Sequence, residues 1–161
     1  MRTNRSLRSA GVTLLELLVT IAVIAILATI GIPSVQELIK NNRMDAQARD
    51  LVALLTFGRS EALRRNADVA VEIVGADNGW SGMVCVGACP GDVIRSVEHD
   101  RVALSQDVNL IFTNRGYLDA FAMGEVVFQL THENCRGNRQ RREMTIERTG
   151  QLTIVPQECG G

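Results

Sequence analysis

Apolar residues follow three different rhythms along this chain. Between Glu16 and Glu37 lie 20 consecutive residues with no formal charge, mostly Leu, Ile, Val and Ala. A helix of that length rises roughly 30 Å, the depth of a bilayer's hydrocarbon core. Beyond Pro33 the pattern turns amphipathic. Met44, Ala48, Leu51, Leu55, Gly58 and Ala62 step by 4, 3, 4, 3 and 4, which places them on one helical face. Charged Asp45, Arg49, Asp50, Arg59, Glu61, Arg64 and Arg65 fall mainly elsewhere. The spacing predicts one long helix over about 12–66, its first half in lipid and its second half with one face on a sheet. Pro33 removes a backbone donor inside it and predicts a kink. The period then changes to two. Strands are expected at 69–74, 82–86, 93–97, 108–113, 126–130, 144–148 and 152–155, separated by turn residues such as Gly75-Ala76-Asp77-Asn78-Gly79 and by Gly116, Gly124, Gly137 and Gly150. The fold class is α+β: a long N-terminal helix packed on a mostly antiparallel β-sheet.

Charge adds direction to this picture. The 161 residues carry 17 Lys+Arg against 18 Asp+Glu, so nothing in the overall balance demands nucleic acid. The ends are less even. Arg2, Arg5 and Arg8 precede the apolar run with no acid among them. The positive-inside rule keeps that end cytoplasmic and sends the chain beyond Pro33 outward. A secretory signal has a shorter apolar run and then a small-residue cleavage site, which this segment lacks. A plain uncleaved signal anchor is the simplest alternative. Two residues argue for more: Glu16, a carboxylate costly in lipid unless it is paired or reaches the headgroups, and Gly11, between the basic leader and the apolar run.

Gly11-Val12-Thr13-Leu14-Leu15-Glu16-Leu17-Leu18-Val19 resembles the class III signal of type IV pilins and type II secretion pseudopilins. The resemblance implies that a prepilin peptidase cuts after Gly11 and methylates Val12. It implies that Glu16, fifth after the cut, docks against the Val12 amine of a neighbouring subunit, and that Pro33 is the family's kinking proline. Val12 departs from the Phe that most members carry there. Later segments resemble the GspH/FimT subfamily of minor pilins and pseudopilin H: Trp80-Ser81-Gly82, Leu110-Ile111-Phe112-Thr113-Asn114-Arg115-Gly116, and Arg142-Glu143-Met144-Thr145-Ile146-Glu147-Arg148-Thr149-Gly150. Physically, Trp80, Ile111, Phe112 and Ile146 read as core residues and the glycines as turns. The expected organisation is a cleaved leader at 1–11, a transmembrane and assembly helix at 12–33 and a periplasmic pilin-like domain at 34–161.

Cys85, Cys89, Cys135 and Cys159 can pair in three ways. Spacing suggests Cys85–Cys89 and Cys135–Cys159, which suits an oxidising periplasm. A four-cysteine zinc site is the rival, but only one close pair exists, spaced C-x3-C. Segment 136–148 carries Arg136, Arg139, Arg141, Arg142 and Arg148 against Glu143 and Glu147. Such a run is either a solvated loop and strand or a patch that contacts DNA phosphates. Some minor pilins of the subfamily bind DNA through a motif resembling G-R-x-R. Here that place reads Gly150-Gln151-Leu152-Thr153, without either arginine, and no aromatic residue interleaves the patch for stacking. His99 and His132 stand alone, at expected surface or turn positions. No nucleophile motif, phosphate loop or metal-binding His pair is present, so neither catalysis, a cofactor nor a metal is expected.

The resemblance implies a minor pilin of a type IV pilus that primes assembly at the tip. Its partners would be other minor and major pilins, the prepilin peptidase and the inner membrane. The alternatives are an H-type minor pseudopilin of type II secretion and a DNA-binding minor pilin for transformation.

Overall fold

The computed structural model describes residues 13–76, 78–119, 125–136 and 139–159. Gly11, Val12, Asp77, Gly124 and Gly137 lie outside the described residues. Two compact units meet between Leu38 and Ile39. One helix, α1 (Leu14–Arg65), supplies all of the secondary structure in the first unit and opens the second. It is continuous through Pro33, which stands inside it. In the first unit the threonine hydroxyls are satisfied locally. The Thr20 and Thr29 hydroxyls donate to the carbonyls of Leu17 and Ile26 at 2.7 Å, and Thr13 Oγ1 accepts from the Glu16 N–H at 3.2 Å as an N-cap. Asn66, at φ 53°, ends the helix in the left-handed conformation of a C-cap.

In the second unit eight strands come after the helix: β1 (Val69–Ala76), β2 (Gly79–Val86), β3 (Asp92–Asp100), β4 (Val102–Leu104), β5 (Val108–Phe112), β6 (Glu125–His132), β7 (Arg141–Glu147) and β8 (Leu152–Gln157). They form two four-stranded sheets, ordered β3-β2-β1-β5 and β4-β6-β7-β8, with every pair antiparallel. The sequence suggested one sheet and missed β4. Arg101, at φ 62°, turns the chain out of β3 in the first sheet and into β4 in the second; the chain returns to the first sheet at β5 and leaves it again for β6.

The second-unit part of α1 buries Met44, Gln47, Ala48, Leu51, Leu54, Leu55, Gly58, Glu61 and Ala62, the recurring three-and-four spacing of one helical face. That stripe packs with inward residues of both sheets. Val69, Val71, Ile73, Trp80, Val84, Leu110 and Phe112 come from the first, and Phe128, Leu130, Met144 and Ile146 from the second. Each large side chain taken out of water contributes about 1.5–3 kcal/mol. Gly58 is needed where α1 approaches β1, since a Cβ there would overlap the Val71 side chain. Of the four expected core residues, Ile111 is only half-buried; it alternates with inward Leu110 and Phe112 and so points to the other face.

Three buried polar groups are satisfied within this core. Gln47 accepts from the Trp80 indole N–H at 2.9 Å and donates to the Asp100 carbonyl at 2.8 Å. Glu61 accepts from Arg64 and Arg65, whose hydrogen bonds, Arg64's first, hold its carboxyl down to about 2. The Arg142 guanidinium donates to Asp45.

Candidate functional site

The expected sites fall on different parts of the molecule. In the first unit, Leu14, Leu15, Leu17, Leu18, Ile21 and Ile24 are all more than half exposed, an apolar surface without internal partners. The helix is long and apolar enough to cross a membrane, with a mean hydropathy of 2.6 over its best window. Glu16 sits in its first turn, the single carboxylate before Glu37. Gly11 and Val12, the expected cleavage residues, are outside the described residues.

The five arginines expected as one patch are divided. Arg142 is buried, its side chain 5% exposed, with Nη2 2.6 Å from Asp45 Oδ1 and Nη1 donating to the carbonyls of Arg139 and Arg141. It is therefore a link between β7 and α1, and the expectation of a solvent-facing side chain is corrected. The reason is strand parity: Arg142, Met144 and Ile146 share the inward face of β7. Arg148 lies in the turn beyond the far end of β7, roughly 20 Å of extended chain from Arg141. There it lines an open pocket of about 600 Å³ with Thr113, Asn114, Arg115, Tyr117, Leu118, Asp119 and Thr149.

Arg136, Arg139 and Arg141 remain together at the opening of β7. The Arg136 N–H donates to Gln140 Oε1 at 2.9 Å. Arg139 is largely exposed and 3.9 Å from Asp45. Arg141 reaches Thr131 Oγ1 and the Glu158 carbonyl, each at 3.4 Å. Next to them the structure places a residue whose surroundings sequence reasoning missed. His132 is buried at the end of β6, not on the surface, and its Nδ1 accepts from the Asn134 N–H at 3.1 Å. Burial pushes its pKa down. Glu133 opposes the shift, while Lys40, Arg43 and Arg101 add to it. Parity offered the signal here too, because Phe128, Leu130 and His132 alternate inward.

His99 is likewise no free surface residue. Its ring lies 4.7 Å from that of Trp80, and its Nε2 is 3.4 Å from Asp50 Oδ2 without hydrogen-bond alignment. The cysteines pair as Cys85–Cys89 and Cys135–Cys159, with Cα separations of 5.4 and 5.7 Å. The second ties the tail after β8 to the loop before β7. Among the described residues no group of three or more His, Cys, Asp or Glu is placed to hold a metal ion.

With the helix, the two sheets and the disulfides in place, comparison with known proteins becomes informative. The sequence model of the family described as Type II transport protein GspH matches residues 47–150. The chain belongs to the GspH family. The prokaryotic N-terminal methylation motif matches residues 6–32, which span Gly11, Val12 and Glu16. Two crystal structures of the Pseudomonas aeruginosa type IV minor pilin FimU share the fold. One aligns with a TM-score of 0.55 and 21% identity over 70% of this chain and 92% of that one. The other gives 0.57 and 21% over 71% and 90%. No curated protein matches the sequence significantly. The chain is thus a GspH-family member with a pilin fold and a prokaryotic N-terminal methylation motif.

Proposed function

We propose that this GspH-family chain is a minor pilin of a type IV pilus. It is made as a precursor, cut by prepilin peptidase after Gly11 and methylated on Val12. Its apolar helix holds it in the inner membrane with the second unit in the periplasm until it joins other minor and major pilins, priming assembly at the tip. It works as a structural subunit rather than an enzyme. The observation that carries this reading is the coincidence of the methylation motif over residues 6–32 with an exposed apolar helix bearing one early carboxylate. Cutting after Gly11 removes Arg2, Arg5 and Arg8 and leaves an amine on Val12, a turn from Glu16. In lipid, a Val12 amine and a Glu16 carboxylate from adjacent subunits attract with little competition from water and set the stagger between them. Pro33 supplies no N–H to the Thr29 carbonyl, which favours a bend of the helix there.

A second reading, the H-type pseudopilin of a type II secretion system, is favoured by the family match itself. The likeness to a type IV minor pilin supports the first. DNA binding has less support, since the Gly150–Thr153 stretch lacks the motif arginines and the arginine run is divided. Processing is tested by intact mass. The parent chain should begin at a methylated Val12, and Gly11→Val should retain the leader, because a branched side chain replaces the one residue with none. A mutant processed like the parent would remove the basis of the reading. Mass spectrometry of sheared filaments and of isolated secretion pseudopili separates the two systems.

A further inference from the structure

We infer that Lys40, Arg43, Arg136, Arg139 and Arg141 form a docking surface for anionic phospholipid headgroups, on which the second unit rests before the subunit leaves the membrane. This rests on the membrane-anchored reading given above. The chain enters the second unit at Ile39. Lys40 and Arg43 stand four and seven residues after Gln36, the last residue of the uncharged run. Cations so close in sequence to the end of a spanning run fall to the headgroup layer, which adds about 5–8 Å to each side of the hydrocarbon core.

The fold brings the arginine loop to the same level of α1. Asp45, half a turn after Arg43, holds Arg142 at 2.6 Å and Arg139 at 3.9 Å. Gln47 holds the Asp100 carbonyl, and Val102 pairs with His132, so the loop that opens β7 lies beside the first turns of α1 in this unit. The depressed pKa of His132, due first to burial and then to Lys40, Arg43 and Arg101, agrees with cations converging there. The local acids are partly committed: Asp45 to Arg142, and Asp100 and Glu133 to Arg101. Among the described residues, Lys40, Arg43, Arg136 and Arg141 have no carboxylate within 4 Å.

Cations on the exported flank of a spanning helix run against the positive-inside bias and, without a carboxylate beside them, are open to an outside anion. Headgroup phosphates are such anions. They carry the complementary charge, and the anchor keeps them at a high effective concentration beneath the surface. A nucleic acid would supply the same phosphates without being tethered, and no aromatic side chain stands here to stack on bases.

The test uses the full processed chain in nanodiscs of phosphatidylglycerol or of phosphatidylcholine, read by amide hydrogen exchange. Amides at 39–43 and 133–141 should exchange at least about threefold more slowly in phosphatidylglycerol, and the difference should vanish in ~0.5 M salt. It should also be lost in the Lys40→Gln, Arg43→Gln, Arg136→Gln, Arg139→Gln variant. The salt arm needs no substitution, so it stands even if that variant misfolds. Equal rates in the two lipids, with amides 17–32 protected in both, would overturn the inference and leave the anchored reading intact. Unprotected amides at 17–32 would overturn both. Duplex DNA that slows 133–141 in phosphatidylcholine discs more than phosphatidylglycerol does would reassign the surface to DNA.

Discussion

Arg142 closes on Asp45 across 97 positions of sequence, with its Nη2 2.6 Å from Asp45 Oδ1. A charge that sequence composition assigns to the surface is therefore a strut between the second sheet and the helix.

That geometry separates neighbouring arginines by their effect on stability. Arg142→Ala strands a carboxylate that is 32% exposed and should lower stability by about 2 kcal/mol, less than a fully buried pair would cost. Arg139→Ala, on a largely exposed side chain, should change it by less than about 0.5 kcal/mol. Urea unfolding of the full chain in detergent measures both. Comparable losses at the two positions would remove the strut.

Gln47 and Trp80 form a second coupled pair. Trp80→Phe leaves Gln47 Oε1 without its donor, and Gln47→Leu orphans both the indole N–H and the Asp100 carbonyl. Each should cost about 1–3 kcal/mol. The double substitution should cost less than the sum of the two, with a coupling of at least about 0.5 kcal/mol. Additive effects in a double-mutant cycle would contradict the pairing.

His132 makes stability fall in mild acid. Its folded pKa lies below the ordinary histidine value of about 6.5, so the unfolded chain takes up the proton first. The contribution is complete above that value and declines as pH drops through it, by at most about 1.4 kcal/mol per pH unit. Protonation also destroys the Nδ1 acceptor used by the Asn134 N–H. His132→Gln should flatten the melting temperature between pH ~6.5 and ~5. A parent and variant with parallel profiles would exclude His132 as the source.

Glu16 lies outside the second unit, so its removal should leave folding unchanged. Glu16→Ala should be processed normally and should reduce the cost of lying in the bilayer by a few kcal/mol. The defect should appear in assembly, as a several-fold lower ratio of variant to parent in sheared filaments at equal membrane abundance. Equal incorporation would mean that the carboxylate only reaches the headgroups.

Much of the architecture was legible because periodicity reports burial directly. Met44, Ala48, Leu51, Leu55, Gly58 and Ala62 are all buried as their spacing required, and the expected helix differs from α1 only at its ends. Strand partners were less legible. Alternation says which side chains share a face but not which strands pair, so the three changes of sheet, at β3 to β4, β4 to β5 and β5 to β6, left no mark in the periodicity. The three residues of β4 are too few to show a period. Arg142 and His132 could have been read correctly. Each has the parity of its apolar neighbours, but their polar identity and the local charge of the run masked it.

The Cys135–Cys159 bond turns β7 and β8 into a closed ring. Without it, the edge strand β8 would be held by its pairing with β7 alone. With it, the segment after β8 is held to the loop before β7, so β8 cannot part from β7 at that end alone. The same hairpin is joined to α1 through Arg142 and Asp45, so a covalent tie at its open end and an ionic tie to the helix hold it as a linked frame rather than as separable strands.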